Sequence, residues 1–596
     1  MGAALEDHLL ALVLGAMVVL PVLEIALRNA GYPGITGSIP MVSHLTLLVG
    51  MLGGAVAARD RRLLSLSSLT GSLRGRWRSV ARVYAASFAV AVCAILAWTA
   101  AYFVWDEYEA ATVVVRGIPK WTVLLALPVG LALIGLRQWW TTGEGLWSRV
   151  WVAVLGGALI ALAYDQLEWF ENHPGPALFA VLLAAALGLP IFAILGGLTL
   201  ILLTSAFAGP GSIPIEHYDL VTNPILPTLP LFTLAGYFLA EGGASRRLIE
   251  VFQSLVGRMR GGPVIVTTLV CAFFTSFTGA SGVTILALGG LLFPVLVAGG
   301  WSQRTTLGLL TGAGSLGLLL APCLPLILYA IVATNSLTSI TLDAGTEVTL
   351  VSMENMFLAG LLPGLLLIVL TTVWAIRAGP RRDASTLEPF DRRRALRALW
   401  AAKWELALPV VAITALFGGF ATPVEAAALT AAYAFFIETI VYRDLHIGRD
   451  VPRVMAECGL LVGGVLLILG VAMGLTGYLI LEQIPDRAVE WVTSNIESRW
   501  VFLLALNGIL VLVGCLMDVF SAIVVVVPLI VPMGLAFGID PVHLGIIFLA
   551  NLELGYLTPP IGMNLFLASY RFEKSVPEVA RAALPMLGVL AIGLML

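Results

Sequence analysis

The 596 residues are 59% hydrophobic and only 12% charged, with a net charge of −3; a soluble domain carries about 25% charged residues. A mean hydropathy of +0.98 excludes a soluble enzyme, a nucleic-acid binder or a disordered scaffold as a reading of the whole chain. The apolar runs, ~17–30 residues long, exceed what barrel strands need and read as helices, so the chain is an all-α polytopic membrane protein with about 16 spans.

Four compact spans come first, over 9–28, 41–58, 83–105 and 121–138. The first run, Leu9 to Leu27, has no basic segment before it and no small-residue cleavage pattern, so it reads as a retained span. The 59–82 loop carries Arg59, Arg61, Arg62, Arg74, Arg76, Arg78 and Arg82. The positive-inside rule places that loop, and with it the N-terminus, in the cytoplasm. The 106–120 loop, with Asp106, Glu107 and Glu109, then lies outside. A fifth span at 148–165 reads as a connector to a second module.

From 176 onward Gly and Pro enter the apolar runs. The 176–207 stretch, broken at Gly188-Leu189-Pro190, fits either one tilted span or two short ones. Arg246, Arg247, Arg258 and Arg260 interleave with Leu248, Ile249, Val251 and Phe252, which is the pattern of an amphipathic helix on the cytoplasmic face. A basic loop over 377–403 separates two halves. Each half has a polar-tipped apolar run followed by a Pro-interrupted one: Thr275 to Thr284 then Ala321 to Pro325, and Asp518 to Ser521 then Thr558 to Asn564. Paired interrupted spans in two halves point to a transporter site at the bilayer midplane.

The Thr275–Thr284 cluster has apolar runs of about ten residues on either side, too short to span alone, so a re-entrant hairpin is predicted. At such a tip, free carbonyls and hydroxyls suit a hard cation such as Na⁺; the same small residues also serve helix packing. Pro322 and Pro325, and the pair Pro559-Pro560, each release backbone carbonyls by breaking a helix. Asp518, a carboxylate in apolar sequence, reads equally as a functional group or as the cap of a hairpin turn. Glu425 after Thr422-Pro423 reads as a capping carboxylate, and Glu438, Asp540 and Glu553 read as span-end residues. The five cysteines form no CxxC pair and His44 and His543 lack ligand-spaced partners, so neither a disulfide framework nor a transition-metal site is expected. No P-loop or catalytic constellation is present; energy must come from an ion gradient or another subunit.

The second module resembles the large membrane subunit of the tripartite ATP-independent periplasmic (TRAP) transporters. The resemblance rests on Leu229 to Gly236, Thr278 to Gly282, Gly317 to Pro325, Phe357 to Gly364, Thr422 to Ala427, Gly538 to Gly545 and Thr558 to Asn564, in that order. The four-span part resembles the family's small membrane subunit by position and span count. The implied organisation is 1–145 small-subunit-like, 146–175 connector, and 176–596 a transport module of inverted repeats over 225–377 and 404–596 with two re-entrant hairpins. The implied function is import of an organic acid delivered by a periplasmic binding protein. Na⁺ would be the coupling ion and the movement elevator-like, in a bacterial inner membrane; no other cofactor and no nucleic acid is implied. By match, Na⁺ falls to Ser276, Gly279, Ser281, Gly317, Ala321 and Pro322 in one half and to Asp518, Ser521, Thr558, Gly562 and Asn564 in the other. Substrate falls between the tips, at Ala280, Gly282, Thr284 and Pro560. The chain departs from the pattern at Ala321-Pro322-Cys323, where the family usually has two prolines and a serine, and by an insertion over 335–353. A stand-alone Na⁺-coupled carboxylate carrier is the alternative, against which the extra four-span module argues. A proton-channelling redox subunit would need several buried ionisable groups along its spans, which 263–377 almost entirely lacks.

Overall fold

The computed structural model describes all residues other than 1, 36, 66–74, 116, 143–144, 166–172, 207–208, 257–258, 260, 345–350, 381–390, 420 and 560–561. Among the described residues the chain is helical apart from a short ribbon, Val113–Val115 paired with Ile118–Pro119. Among the described residues, eleven helices are long and apolar enough to cross a membrane, or 12 if the bent pair Arg392–Ala401 and Lys403–Phe417 is one span. The predicted figure of about 16 is not reached by that count. The difference lies in shorter apolar helices such as Gly175–Ala186, Ile191–Ser205 and Gly262–Thr278, where a Gly or Pro ends a helix inside a run that hydropathy reads as continuous.

The chain folds as two compact units, 1–230 with 455–487, and 231–454 with 488–596. In the first, helices Gly2–Asn29, Ser38–Arg59, Arg76–Ala110, Ala126–Thr141 and Leu146–Asp165 occupy the five predicted positions. Arg59 reaches Glu6 at 3.1 Å and Asp7 at 2.8 Å, and Arg137 also pairs with Glu6. The start of the first helix and the ends of the second and fourth therefore share one end of the unit. The 176–207 stretch is two helices, separated by Gly188 at φ 95°. The long helix Asp450–Leu481 joins this unit by backbone contact: a Cβ on Gly463 would stand 2.5 Å from the Cα of Gly53. Small residues at a membrane-helix crossing permit this approach, and Arg62 with Glu457 (2.7 Å) fixes the register.

In the second unit, helix Ala244–Val256 buries Leu248 and Val251 on the face opposite its charges, the amphipathic pattern read from sequence. Residues 392–401, predicted as part of a loop, are helical: Asp391 caps the helix by accepting from the Arg393 amide (2.8 Å), and Arg, Leu and Ala are strong helix formers.

Residues 262–377 and 499–595 of this unit follow one motif twice. In the first, Gly262–Thr278 and Ser281–Ala298 form a helical pair, followed by Gln303–Ala313, a non-helical stretch over 314–323, Leu324–Ala344 and Met353–Arg377. In the second, Arg499–Leu516 and Val519–Ala536 form the pair, followed by Pro541–Gly555, a break over 556–562, Met563–Phe572 and Val576–Met595. The copies interlock. Ser281–Ala298 packs on Met563–Phe572 and, reciprocally, Val519–Ala536 packs on Leu324–Ala344; Gln303–Ala313 packs on Val576–Met595, and Pro541–Gly555 on Met353–Arg377. Each copy's second arm thus lies against the other copy's post-break helix, which brings both tips and both breaks into one core.

Candidate functional site

The first tip is tighter than predicted. Its arms are 17 and 18 residues long, not about ten, because most of the polar cluster is itself helical. Ser276 bonds back to the Phe273 carbonyl at 2.8 Å, which lets hydroxyl residues continue a helix in apolar surroundings. Only Gly279, at φ 65°, and the extended Ala280 interrupt it. An arm of ~26 Å still falls short of the ~30 Å hydrocarbon core.

Thr275, Ser276, Thr278, Ser281 and Thr284 are all buried at this tip. Thr275 donates to the Gly314 carbonyl (2.7 Å) and so accepts from the Thr284 hydroxyl (2.7 Å). The first break packs directly on the arm: a Cβ on Gly317 would stand 2.6 Å from the Ser276 amide nitrogen. Cys323, buried, faces the Thr275 carbonyl at 3.9 Å. The Ala321–Pro322 peptide is cis. Among the described residues, the carbonyls of Ala321 and Pro322 accept no hydrogen bond, and the Thr278 hydroxyl is buried without a partner.

At the second tip Asp518 caps the helix Val519–Ala536. One carboxylate oxygen accepts from the amides of Phe520 (3.0 Å) and Ser521 (3.1 Å), the other from the Ser521 hydroxyl (2.6 Å). The second break folds onto this tip. The Gly562 amide donates to the Cys515 carbonyl at 3.1 Å, and the Tyr556 hydroxyl accepts from the Val519 amide at 2.6 Å. Gly562 has φ 26°, and a Cβ there would lie 2.8 Å from the Tyr556 carbonyl oxygen and 2.9 Å from that of Thr558. Two carbonyls thus converge on a hollow that only glycine leaves open.

Asn564 joins the halves. It is fully buried and accepts from the Ser281 hydroxyl (2.7 Å) while donating to the Thr311 carbonyl (3.2 Å). The structure therefore places Ser276, Gly279, Ser281, Gly317, Ala321 and Pro322 in one cluster, Asp518, Ser521, Thr558 and Gly562 in another, and Asn564 on the first tip. Of the positions assigned to substrate, Ala280 is half-buried at the tip. Gly282 makes room for Leu567, Thr284 is engaged with Thr275, and Pro560 lies outside the described residues. The donors are overwhelmingly oxygen, the set preferred by hard cations. Among the described residues no three His, Cys, Asp or Glu side chains gather as they would around a transition metal.

Sequence reasoning missed Thr311 and Tyr556, whose roles depend on partners distant in the chain. Two acids read as span-end residues do lie near the ends of their helices, but both are buried. Glu438 is fully buried in a π-helical turn (Ile437–Val441) and bonded to Arg247, and Glu553 is fully buried inside the helix Pro541–Gly555. Glu438 stands in the last turn of the span Pro423–Val441 and Glu553 two residues before Gly555, so both are near span ends as read; Asp540 starts its helix as the cap, and Glu425 forms the capping box with Thr422 that its spacing predicts.

Comparison with known proteins agrees with this architecture. The family described as "Tripartite ATP-independent periplasmic transporter, DctM component" matches residues 177–596. The family "Tripartite ATP-independent periplasmic transporters, DctQ component" matches residues 17–142. A C4-dicarboxylate TRAP transporter large permease protein of Pseudomonas aeruginosa is 34% identical over 64% of this chain and 84% of its own length. One of Rhodobacter capsulatus is 34% identical over 69% of this chain and 93% of its own. The isethionate TRAP transporter permease protein DctMQ of Oleidesulfovibrio alaskensis is 26% identical over 92% of this chain and 85% of its own length. This chain belongs to the TRAP transporter permease family, with the small and large membrane components in one multi-pass polypeptide.

Proposed function

We propose that the chain imports a small organic acid, received from a periplasmic binding protein and driven by an inward Na⁺ gradient across a bacterial inner membrane. The observation that carries this reading is the interlocking of the two repeats, which gathers two polar helix tips and two broken segments around the Ser281–Asn564 bond. Freed carbonyls and hydroxyls in an otherwise apolar core are what a partly dehydrated Na⁺ needs. One ion is held by the Ser276, Gly279, Ser281 and Gly317 to Pro322 cluster. The other is held by Asp518, Ser521, Thr558 and the carbonyls beside Gly562. Asn564, bonded to the first tip, links the two. The substrate carboxylate lies between the tips near Ala280 and is favoured by the positive ends of the helices that begin at Ser281 and Val519. The relatives named for C4-dicarboxylates and isethionate carry anions of this class.

Cation binding at the tips neutralises buried polar groups, so the hairpin-bearing helices move only when loaded, as an elevator. The basic residues near Arg59 and Arg137 favour a cytoplasmic N-terminus.

The test is uptake of labelled C4-dicarboxylates and isethionate into liposomes holding the full chain, with and without a Na⁺ gradient and a candidate periplasmic binding protein. Uptake that needs both is the expected result. Uptake without the binding protein would replace the tripartite reading with a stand-alone carrier, and indifference to Na⁺ would remove both ion sites.

A further inference from the structure

The second arm of the first repeat and the post-break helix of the second run side by side and end on a cavity of about 760 Å³. Its floor is apolar. Leu307 and Ala582 are buried there, and the half-buried rings of Phe293 and Phe572 lie 5.2 Å apart. Its rim is charged: Arg304, Lys574 and Arg581 line it, against one acid, Glu578.

The backbone holds the two arginines together. A Cβ on Gly308 would run into the Ala582 carbonyl, so the helices Gln303–Ala313 and Val576–Met595 cross in direct contact. Arg304, in the first turn of one, donates to the Arg581 carbonyl of the other at 3.2 Å. Glu578 is already paired with Lys574 at 3.2 Å. Among the described residues the Arg581 guanidinium has no acceptor, and that of Arg304 has only the one carbonyl. Two guanidinium groups on one cavity repel each other, and an oxyanion between them turns that repulsion into charge-assisted hydrogen bonds. The repeat does not itself require such charge. The counterpart junction in the other repeat, over 537–543 and 351–356, has Asp540 and Glu354 and no Lys or Arg.

The turn that precedes Gln303 packs on the end of the span Met353–Arg377, where the Trp301 indole donates to the Ala375 carbonyl at 2.9 Å. That span runs into the basic 377–403 segment, so the positive-inside rule gives the cavity the cytoplasmic leaflet. A free inorganic anion would use the arginines and leave the apolar floor uncovered. An amphiphile uses both, and Leu584, one helical turn beyond Arg581, is exposed and extends the apolar surface outward. Basic pockets between membrane helices on the cytoplasmic side suit anionic headgroups.

We propose that this cavity binds an anionic phospholipid of the cytoplasmic leaflet, with its phosphate on Arg304 and Arg581 and the start of an acyl chain against Phe293 and Phe572. The site is separate from the tips and from the ion that drives transport.

Delipidated full-length protein in a neutral detergent is titrated with cardiolipin, phosphatidylglycerol, phosphatidylcholine and inorganic phosphate. Bound lipid is counted by native mass spectrometry and the melting temperature is read alongside. Cardiolipin and phosphatidylglycerol should bind saturably and raise the melting temperature. The double variant Arg304→Gln with Arg581→Gln should bind them at least tenfold more weakly. A control double variant in the other unit, Arg76→Gln with Arg78→Gln, should match wild type. Equal affinity of wild type and the Arg304/Arg581 variant overturns the site, and so does phosphatidylcholine binding as tightly as the anionic lipids. Inorganic phosphate that displaces the lipid at equal concentration makes this a soluble-anion site and overturns the lipid assignment. Should the double variant fail to fold, Glu578→Gln decides. It removes the one acid from the rim and should tighten anionic-lipid binding by about fivefold; unchanged or weaker binding overturns the proposal.

Discussion

The hydroxyl of Ser281 donates to the side-chain oxygen of Asn564 across 2.7 Å, between residues 283 positions apart and both fully buried. It bonds the first residue of one repeat's return arm to the post-break helix of the other. Removing either partner leaves the other's polar atom buried and unsatisfied, a penalty of about 1–3 kcal/mol. Ser281→Ala and Asn564→Ala should each raise the Na⁺ concentration for half-maximal uptake by roughly tenfold, and the double variant should fall short of the product of the two. Independent, multiplying effects would show that the bond does not couple the two halves.

Asp518 both caps a helix and supplies the charge at the second tip. These roles separate on substitution, because Asn caps a helix about as well as Asp. Asp518→Asn should retain thermal stability while losing at least an order of magnitude in Na⁺ affinity. Asp518→Ala should lose both, with about 1 kcal/mol of stability gone with the cap. Asp518→Asn protein that transports with unchanged Na⁺ dependence would reduce Asp518 to a structural cap.

Gly562 tests the convergence of carbonyls. An alanine there meets the Tyr556 and Thr558 carbonyl oxygens at 2.8 and 2.9 Å and holds a left-handed backbone, a conformational cost of roughly 1–2 kcal/mol. Gly562→Ala should abolish Na⁺-driven uptake with only a modest fall in melting temperature. Gly588→Ala, in the helix Val576–Met595 where a Cβ meets nothing within 4 Å, should be neutral. Equal behaviour of the two variants in uptake would remove the second break from the ion site.

Much of this site is visible in the sequence, and the physical reason is the bilayer. Thr275 to Thr284 and Thr558 to Asn564 stand out because hydroxyl, glycine and proline are costly among apolar residues unless they face protein or a cavity. What sequence leaves unseen is pairing. Nothing local tells that Asn564 bonds Ser281 and not Asp518. Glu553, three residues before a break, has the same local signature as a solvated span end. The Pro and Gly breaks that mark the site are also what blurs the count of spans, since a helix ending at Gly188 and one starting at Ile191 merge in a hydropathy window.

Arg247 shows a second contact set that local sequence conceals. Its guanidinium reaches Glu405, Asp444 (2.6 Å) and Glu438 (3.2 Å) and covers the Tyr442 ring at 3.7 Å. Burial alone would lower its pKa, but Asp444, Glu405 and Glu438 outweigh that and raise it. Arg247→Ala strands two fully buried carboxylates, for which loss of the partner costs about 3–5 kcal/mol. It should sharply lower the melting temperature of the detergent-purified protein. Arg247→Lys should recover only part, because a point charge cannot serve three acceptors as a fork does. Full recovery by lysine would mean that charge alone, and not geometry, holds this junction.

His217, in the helix Ser212–Thr222, makes stability depend on pH. Its ring lies against Gly470, and its buried Nε2 has no partner among the described residues. Burial lowers its pKa to about 4. The unfolded chain takes up a proton near the ordinary value of about 6.5, while the folded chain refuses it until about 4. Stability from this residue is therefore full above pH ~6.5 and falls as pH drops toward 4, by roughly 3 kcal/mol in all. Glu216 and Asp219 beside it act in the opposite sense: burial raises both, so the folded chain protonates them first and is favoured by acid. The two effects partly offset each other in the wild type, and substitution separates them. His217→Gln, which cannot titrate, should melt more stably than wild type at pH 4.5 relative to the difference between them at pH 7.5. Parallel pH profiles for the two proteins would show that His217 is protonated in the folded state and is not enclosed by the helix that carries Gly470.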